Sequence, residues 1–313
     1  SLNINGGRDR NKLAMVSELF KVNKINVAFL QETHTTIDNE LEWTGWWKGK
    51  SVLSHGTNIS AGIAIIFSKD MNIKILVVDE IVKGRILHLK IEYEGFVFNL
   101  INVYAPNNGP ERVKQFLKLK NAIQKIDYKV CTIIGGDWNC TIDFTIDRNG
   151  EEPHQESADV LSNILKSFEL IDIWRRRNTG IKQYTWLKVS NNRVSGARLD
   201  GFIGKEWNYK ITDVSILPVG FSDHHLILFG LTMKKSSKPN YFWHFNTKLL
   251  NDSLFCENQF LETNDKGDVS DSCLWETCKV VLRGHIIAFE SAHKKEKRKR
   301  LFEIENILPS LEK

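Results

Sequence analysis

Over residues 1–232, short apolar runs bounded by Gly, Asp or Asn alternate with longer amphipathic stretches. The runs predict strands over 2–5, 27–31, 61–67, 73–78, 85–93, 96–104, 130–134, 198–203 and 225–231. They are rich in Val, Ile and Phe, which suit a pleated, half-buried surface. Helical spacing predicts helices over 10–21, 111–126 and 157–168. In the second of these, Val113, Phe116, Leu117, Lys120 and Ile123 carry the period, and Pro110 stands at its first turn. So many strands with so few helices argue for packed sheets flanked by helices, not for a simple alternating β-α repeat.

The pattern changes near Met233. The run KKSSKPN is polar and reads as a boundary, dividing the chain into a domain over 1–232 and an extension over 233–313. The extension reads as mostly helical over 273–305 and ends in the basic run HKKEKRKR at 293–300. That run is either a solvated helix face or a contact for nucleic-acid phosphates. The net charge of +5 suits an anionic partner without identifying one. No apolar run is long enough to span a membrane. The five cysteines form no C-x-x-C pair, which fits a reduced, intracellular protein. Cys273, Cys278, His285 and His293 match no common zinc spacing. Ser1 opens directly on a strand pattern, so the chain reads as cut from something longer.

Chemistry-bearing residues recur at the strand ends. Asn3 and Asn5 lie in SLNING, Glu32 follows the apolar run of AFLQETH, and Asn102, Tyr104 and Asn107 lie in INVYAPN. Asp137 and Asn139 lie in IIGGDWN and Asp200 in RLDGF, while Ser222, Asp223 and His224 precede the last strand. Singly, each reads as a turn former, and GGD is a turn by itself. Together they supply what phosphodiester hydrolysis needs. Asp or His can deprotonate a water. Glu32 with Asn or Asp offers hard oxygen ligands to a cation. Nearby donors can stabilise charge on the phosphorane. Asp223-His224 beside Asp137 would make a carboxylate-oriented imidazole. No G-x-S-x-G, P-loop or H-E-x-x-H is present to support another chemistry.

The ordered series SLNING, QET, NVYAPN, GGDWN, YTW, RLDGF and SDHH resembles the endonuclease/exonuclease/phosphatase superfamily over residues 1 to about 232. SLNINGGRDRNK, QETHTT, the long GGDWNCTIDFTIDR, ELIDIWR and QYTW are more similar to the endonucleases of LINE retrotransposons. The extension resembles the connector between endonuclease and reverse transcriptase in those polyproteins. The resemblance implies a four-layer α/β sandwich and magnesium-dependent nicking of one strand of double-stranded DNA, with manganese as the other candidate metal. The nick would expose a 3′-hydroxyl that primes reverse transcription. A reverse transcriptase region is expected on the full-length polyprotein, the basic C-terminal segment is a candidate RNA contact, and nuclear access is expected.

Position by position, the resemblance makes Glu32 the main metal carboxylate, with Asn5 and Asp223 as the other metal-linked residues. Asn3 would orient the phosphate or the metal's water shell, and Tyr104 would contact the phosphate. Asp137 would act as base or water positioner beside Asn139, Asp200 would orient a catalytic group, and Asp223 and His224 would close the site. The general base stays open between Asp137 and His224. Asn107, Arg148, Thr185, Asn192, Arg193 and Ser222 match positions near DNA, and residues 188–197 match a variable hairpin that probes the groove. Asn5 stands where repair endonucleases carry Asp, which favours the retrotransposon reading and weakens Asn5 as a ligand. Gly7 stands where an apolar residue is usual, so a packing contact is expected to be lost. The competing readings are an apurinic/apyrimidinic repair endonuclease, a phosphoinositide or sphingomyelin phosphoesterase of the same superfamily, and a non-catalytic nucleic-acid-binding copy.

Overall fold

The computed structural model describes residues 1–127, 130–190, 193–205 and 209–233, with scattered positions from 270 to 300. The chain divides into two compact units, Ser1–Lys234 and Lys235–Lys313. In the second, every described position from 272 to 300 is helical. No helix among the described residues is long and apolar enough to cross a membrane.

The first unit runs β1 (Leu2–Asn3), α1 (Arg10–Val22), β2 (Val27–Gln31), α2 (Glu40–Trp46), β3 (Ser51–Ser54), β4 (Ile63–Phe67), β5 (Lys74–Val82), β6 (Ile86–Tyr93), β7 (Phe96–Tyr104) and α3 (Gly109–Lys125). It continues with β8 (Cys131–Asp137), α4 (Phe144–Asp147), α5 (Gln155–Phe168), β9 (Ile171–Asp172), α6 (Ile173–Arg177), β10 (Trp186–Ser190), β11 (Arg193–Ala197), β12 (Asp200–Gly204), β13 (Tyr209–Leu217) and β14 (Leu226–Met233). A six-stranded sheet has the order β5-β6-β7-β8-β12-β9, and a four-stranded sheet the order β1-β2-β4-β3. The β13–β14 pair joins the latter at β1, where Ser1 and Ile227 exchange backbone N–H···O bonds.

Period-two alternation explains the layers. In β4, Ile63, Ile65 and Phe67 face the core between the sheets, while Ala64 and Ile66 face α1. In β7, Phe98 and Leu100 face inward, while Ile101 and Val103 pack on Phe116 and Leu119 of α3 and Leu161 of α5. Strands buried on both faces read as continuous apolar runs. The result is the four-layer α/β sandwich of helices, sheet, sheet and helices. Asp9 and Asn108 cap α1 and α3 by accepting from Asn11 N and Glu111 N, so each helix starts where its side-chain acceptor stands.

The structure departs from the sequence pattern at several places. β13 escapes it because a bulge between Ile211 and Asp213 breaks the alternation. β3 and α2 are also added. β8 runs on through Gly135 and Gly136, so GGD is strand and not turn. A Cβ at Gly135 would lie 2.2 Å from the Phe202 ring, and one at Gly136 (φ +145) would lie 1.8 Å from Val103 O. The packing expected to be lost at Gly7 is instead supplied by Trp43, whose ring would lie 2.2 Å from an added Cβ. Gly7→Leu is therefore expected to lower stability by about 1–3 kcal/mol through overpacking. Urea denaturation would measure it, and an unchanged midpoint would show the Trp43 ring free to move aside.

Candidate active site

The inward-facing rows of the sheets turn polar at one end of the sandwich. β2 follows Phe29 with Gln31, β7 follows Leu100 with Asn102 and Tyr104, and β8 follows Ile133 with Asp137. Asn3 of β1 lies between Leu2 and Ile4, which face the outer core, so it faces inward too. Pairing then aligns the rows. Tyr104 is opposite Asp137 across β7–β8, and Asp200 is opposite Asp137 across β8–β12. Arg85 precedes β6 and accepts from Tyr104 N through its carbonyl. Arg85, Tyr104, Asp137 and Asp200 therefore form one rung across the sheet end.

Asn3 bridges the two halves of the site. Its Nδ2 donates to Glu32 Oε1 and to Asp137 Oδ2, both at 3.0 Å. Tyr104 OH donates to the same Glu32 oxygen at 2.7 Å, and His34 Nε2 lies 3.5 Å from the other. Burial, and then the Glu32 charge, push the Tyr104 hydroxyl pKa well up, so it remains a donor. Glu32, Asn5 and Asn139 have left-handed backbones with φ of 51, 46 and 50. Such strain in non-glycine residues concentrates at functional sites. Asn139 N donates to Asp137 Oδ1 at 2.9 Å.

His224 Nδ1 donates to Asp200 Oδ2 at 2.7 Å, and its Nε2 lies 3.9 Å from Asp137 Oδ2. The carboxylate that holds the imidazole is thus Asp200, with Asp137 on the side of the other ring nitrogen. Asp223 turns outward, where it accepts from Asn5 Nδ2 (3.1 Å) and Trp186 Nε1 (3.2 Å). Burial and the neighbouring Asp200 raise the Asp137 pKa to about 7, against the lowering by His224, Asn3 and Asn139. Burial would pull His224 down, but Asp200 and Asp137 outweigh it and hold the imidazole proton to about pH 10. Both shifts run in one direction: the two carboxylates favour the imidazolium form of His224, and burial beside Asp200 makes Asp137 more basic than an ordinary carboxylate.

Two arrangements have the oxygen-rich chemistry a hard cation requires. Asp137, Asp200 and His224 bring three ligand atoms within 4.8 Å of one another, and Asp200 Oδ1 is buried with no hydrogen-bond partner. Glu32 makes no ion pair with Lys or Arg among the described residues, and Asn3 and Tyr104 orient it through neutral donors.

The expected DNA-facing residues fall into different places. Asn107 is exposed beside the site. Ser222 is turned inward, its hydroxyl donating to Asn3 O and accepting from His224 N. Thr185 is fully buried, and its Oγ1 accepts from the N–H groups of Leu199 and Asp200, which sets Asp200 in place. Arg148 Nε donates to Glu152, which anchors the side chain against Thr141. The 188–197 segment forms the β10–β11 hairpin, with Ser190 opposite Arg193 in register. Asn192 lies outside the described residues, and so do His285, His293 and half of the 293–300 run. Sequence reading missed His34, Gln31 and Arg85. Gln31 Nε2 donates to Asn102 Oδ1 behind the site. An arginine before a strand or a glutamine ending one carries no sequence signal of such a role.

A family model described as the endonuclease/exonuclease/phosphatase family matches residues 1–224. A Xenopus laevis relative, described as the transposon TX1 uncharacterized 149 kDa protein, is 34% identical over 259 residues. That match covers 82% of this chain and 20% of the relative, so the chain spans about a fifth of that protein's length. The fold is similar to the endonuclease domain of TRAS1, a telomere-specific non-LTR retrotransposon, with a TM-score of 0.56, 16% identity, and coverage of 74% of this chain and 97% of that one. It is also similar to the AP endonuclease LMAP from Leishmania major, with a TM-score of 0.62, 15% identity, and coverage of 74% and 86%.

Proposed function

Since this chain belongs to the endonuclease/exonuclease/phosphatase family and is a phosphodiester hydrolase, we propose that its substrate is double-stranded DNA. On this reading it nicks one strand with the help of a divalent cation, leaving a 3′-hydroxyl that primes reverse transcription at the target. The observation that carries it is the Asp200–His224–Asp137 array, bridged through Asn3 to Glu32. The TX1 relative and the TRAS1 fold neighbour favour the retrotransposon setting.

In this mechanism Asp137 accepts the proton of the attacking water. Its elevated pKa keeps it basic enough to do so near neutrality. His224, held as the imidazolium by Asp200, places positive charge against the scissile phosphate. Asn3 aligns Asp137 with Glu32, and Tyr104 donates toward the same region. Glu32 would hold the cation, with Asn5 and Asp223 alongside, and magnesium or manganese there would stabilise negative charge on the leaving oxygen. Glu32 is the better holder than the Asp137–Asp200–His224 cluster, because the imidazolium form of His224 offers a cation no lone pair. Residues 1–232 form the endonuclease and 233–313 the connector in this reading. Its basic run would contact RNA or DNA, a reverse transcriptase region would follow in the full-length protein, and the target would be reached in the nucleus.

The test is conversion of supercoiled plasmid to open circles. Nicking is expected with magnesium and is expected to vanish in EDTA and in Glu32→Ala. Nicking that persists in EDTA would overturn the metal assignment. A strong preference for abasic over intact duplex would turn the reading to a repair endonuclease.

A further inference from the structure

Glu152 carries a buried carboxylate that the proposed chemistry does not use. Its side chain is sealed from solvent, yet its donors all fall on one oxygen. Oε2 accepts from Thr141 N at 2.9 Å, from Thr141 Oγ1 at 2.8 Å and from Arg148 Nε at 3.3 Å, while Oε1 is buried with no hydrogen-bond partner. Burying a carboxylate is costly, and an ion pair there is weak evidence for stability alone. What Glu152 does is tie together two loops at the rim of the site. Thr141 stands two residues after Asn139, whose N–H holds Asp137. Arg148 bridges to Ala197 at the base of the β10–β11 hairpin, where Asn149 N donates to Gly196 O.

Arg148 meets this carboxylate with Nε alone. Arg198, by contrast, closes on Asp147 with both Nε and Nη2. A guanidinium that served only to neutralise Glu152 would take up that two-point grip. Arg148 instead leaves Nη1 and Nη2 without a hydrogen bond to any described residue and open to solvent. A fork of two donors, fixed from behind through Nε, matches two oxygens of a phosphate.

We propose that Glu152 is a positioning residue for DNA binding: it grips Nε of Arg148 so that the two amino groups face a backbone phosphate beside the cleavage site. Ala197, opposite Arg148, lies three residues before Asp200, roughly 10 Å along an extended chain. The contact therefore falls on the hairpin side of the scissile linkage. This assignment rests on the DNA reading of the site.

The test follows binding of a duplex oligonucleotide in EDTA over a range of salt. Arg148→Met is expected to flatten the slope of log affinity against log salt by about 0.9, the loss of one phosphate contact. Arg148→Lys is expected to lose as much although it keeps the charge, because its single nitrogen is drawn to Glu152. Glu152→Gln added to Arg148→Lys keeps an acceptor for Thr141 and releases the lysine, so the slope is expected to recover. In magnesium, KM is expected to rise more than kcat falls in Arg148→Lys, and to return in the double variant. A purely structural Glu152 would give no such recovery. A wild-type chain that nicks DNA overturns the Glu152 assignment alone if Arg148→Met leaves the slope unchanged, if Arg148→Lys retains it, or if the double variant does not regain it. A wild-type chain that neither binds nor nicks duplex DNA would overturn the DNA reading and this assignment together.

Discussion

Asp137→Asn and His224→Ala are each expected to slow nicking by about 100- to 10,000-fold, the usual contribution of a positioned proton-transfer or charge-stabilising group. Each tenfold corresponds to about 1.4 kcal/mol of barrier. The two variants should differ in their pH profiles. Activity requires Asp137 ionised, so the rate should rise as pH passes upward through about 7. It also requires His224 protonated, so the rate should fall as pH passes through about 10. His224→Ala removes the alkaline limb. It also removes the cation that lowers the Asp137 pKa, so the residual acid limb should move to higher pH. Measurement of the nicking rate from pH 5 to 11 decides between Asp137 and His224 as the base. An acid limb that disappears in His224→Ala would make the imidazole the base instead.

Asp147→Ala is expected to destabilise the fold by about 3–5 kcal/mol, the cost of stranding one member of a buried ion pair. Asp147 is 1% exposed and accepts from Arg198 through both Nε (2.8 Å) and Nη2 (2.7 Å), and from Arg175 as well. Arg198 also reaches Asp172 at 2.7 Å and stacks near the Trp174 ring. Burial works against the Arg198 charge, and Asp172 and Asp147 more than restore it. This network ties α4, β9 and α6 to the residue two places before Asp200, so its loss should also disturb the carboxylate on His224. Chemical denaturation would measure the stability. A loss below 1 kcal/mol would mean that water or Asp172 takes over the guanidinium.

The strands that carry the site were legible because burial on both faces writes unbroken apolar runs. Residues 27–31 coincide with β2 for that reason, and 96–104 with β7, where only Asn99 and Asn102 interrupt the apolar residues. β13 was not legible, because its bulge at Ile211–Asp213 destroys the period that sequence reading relies on. Most site residues were found as polar groups ending those runs. Several of their partners were not: Gln31 donates to Asn102 behind the site, and Asn3 bridges Glu32 to Asp137, across strands far apart in the chain. Thr185 reads as a DNA-facing hydroxyl, yet it is sealed under Asp200.

By itself, the sequence determined the strands that carry most of the site, where their polar ends lie and what family those motifs resemble, because side-chain hydrophobicity and period are local properties. Only the tertiary structure decided which groups meet. Strand register places Arg85, Tyr104, Asp137 and Asp200 on one line. Burial of two carboxylates around one imidazole then sets which group holds the proton. Both depend on distances between residues far apart in the chain, and a linear pattern carries no distance across the sheet.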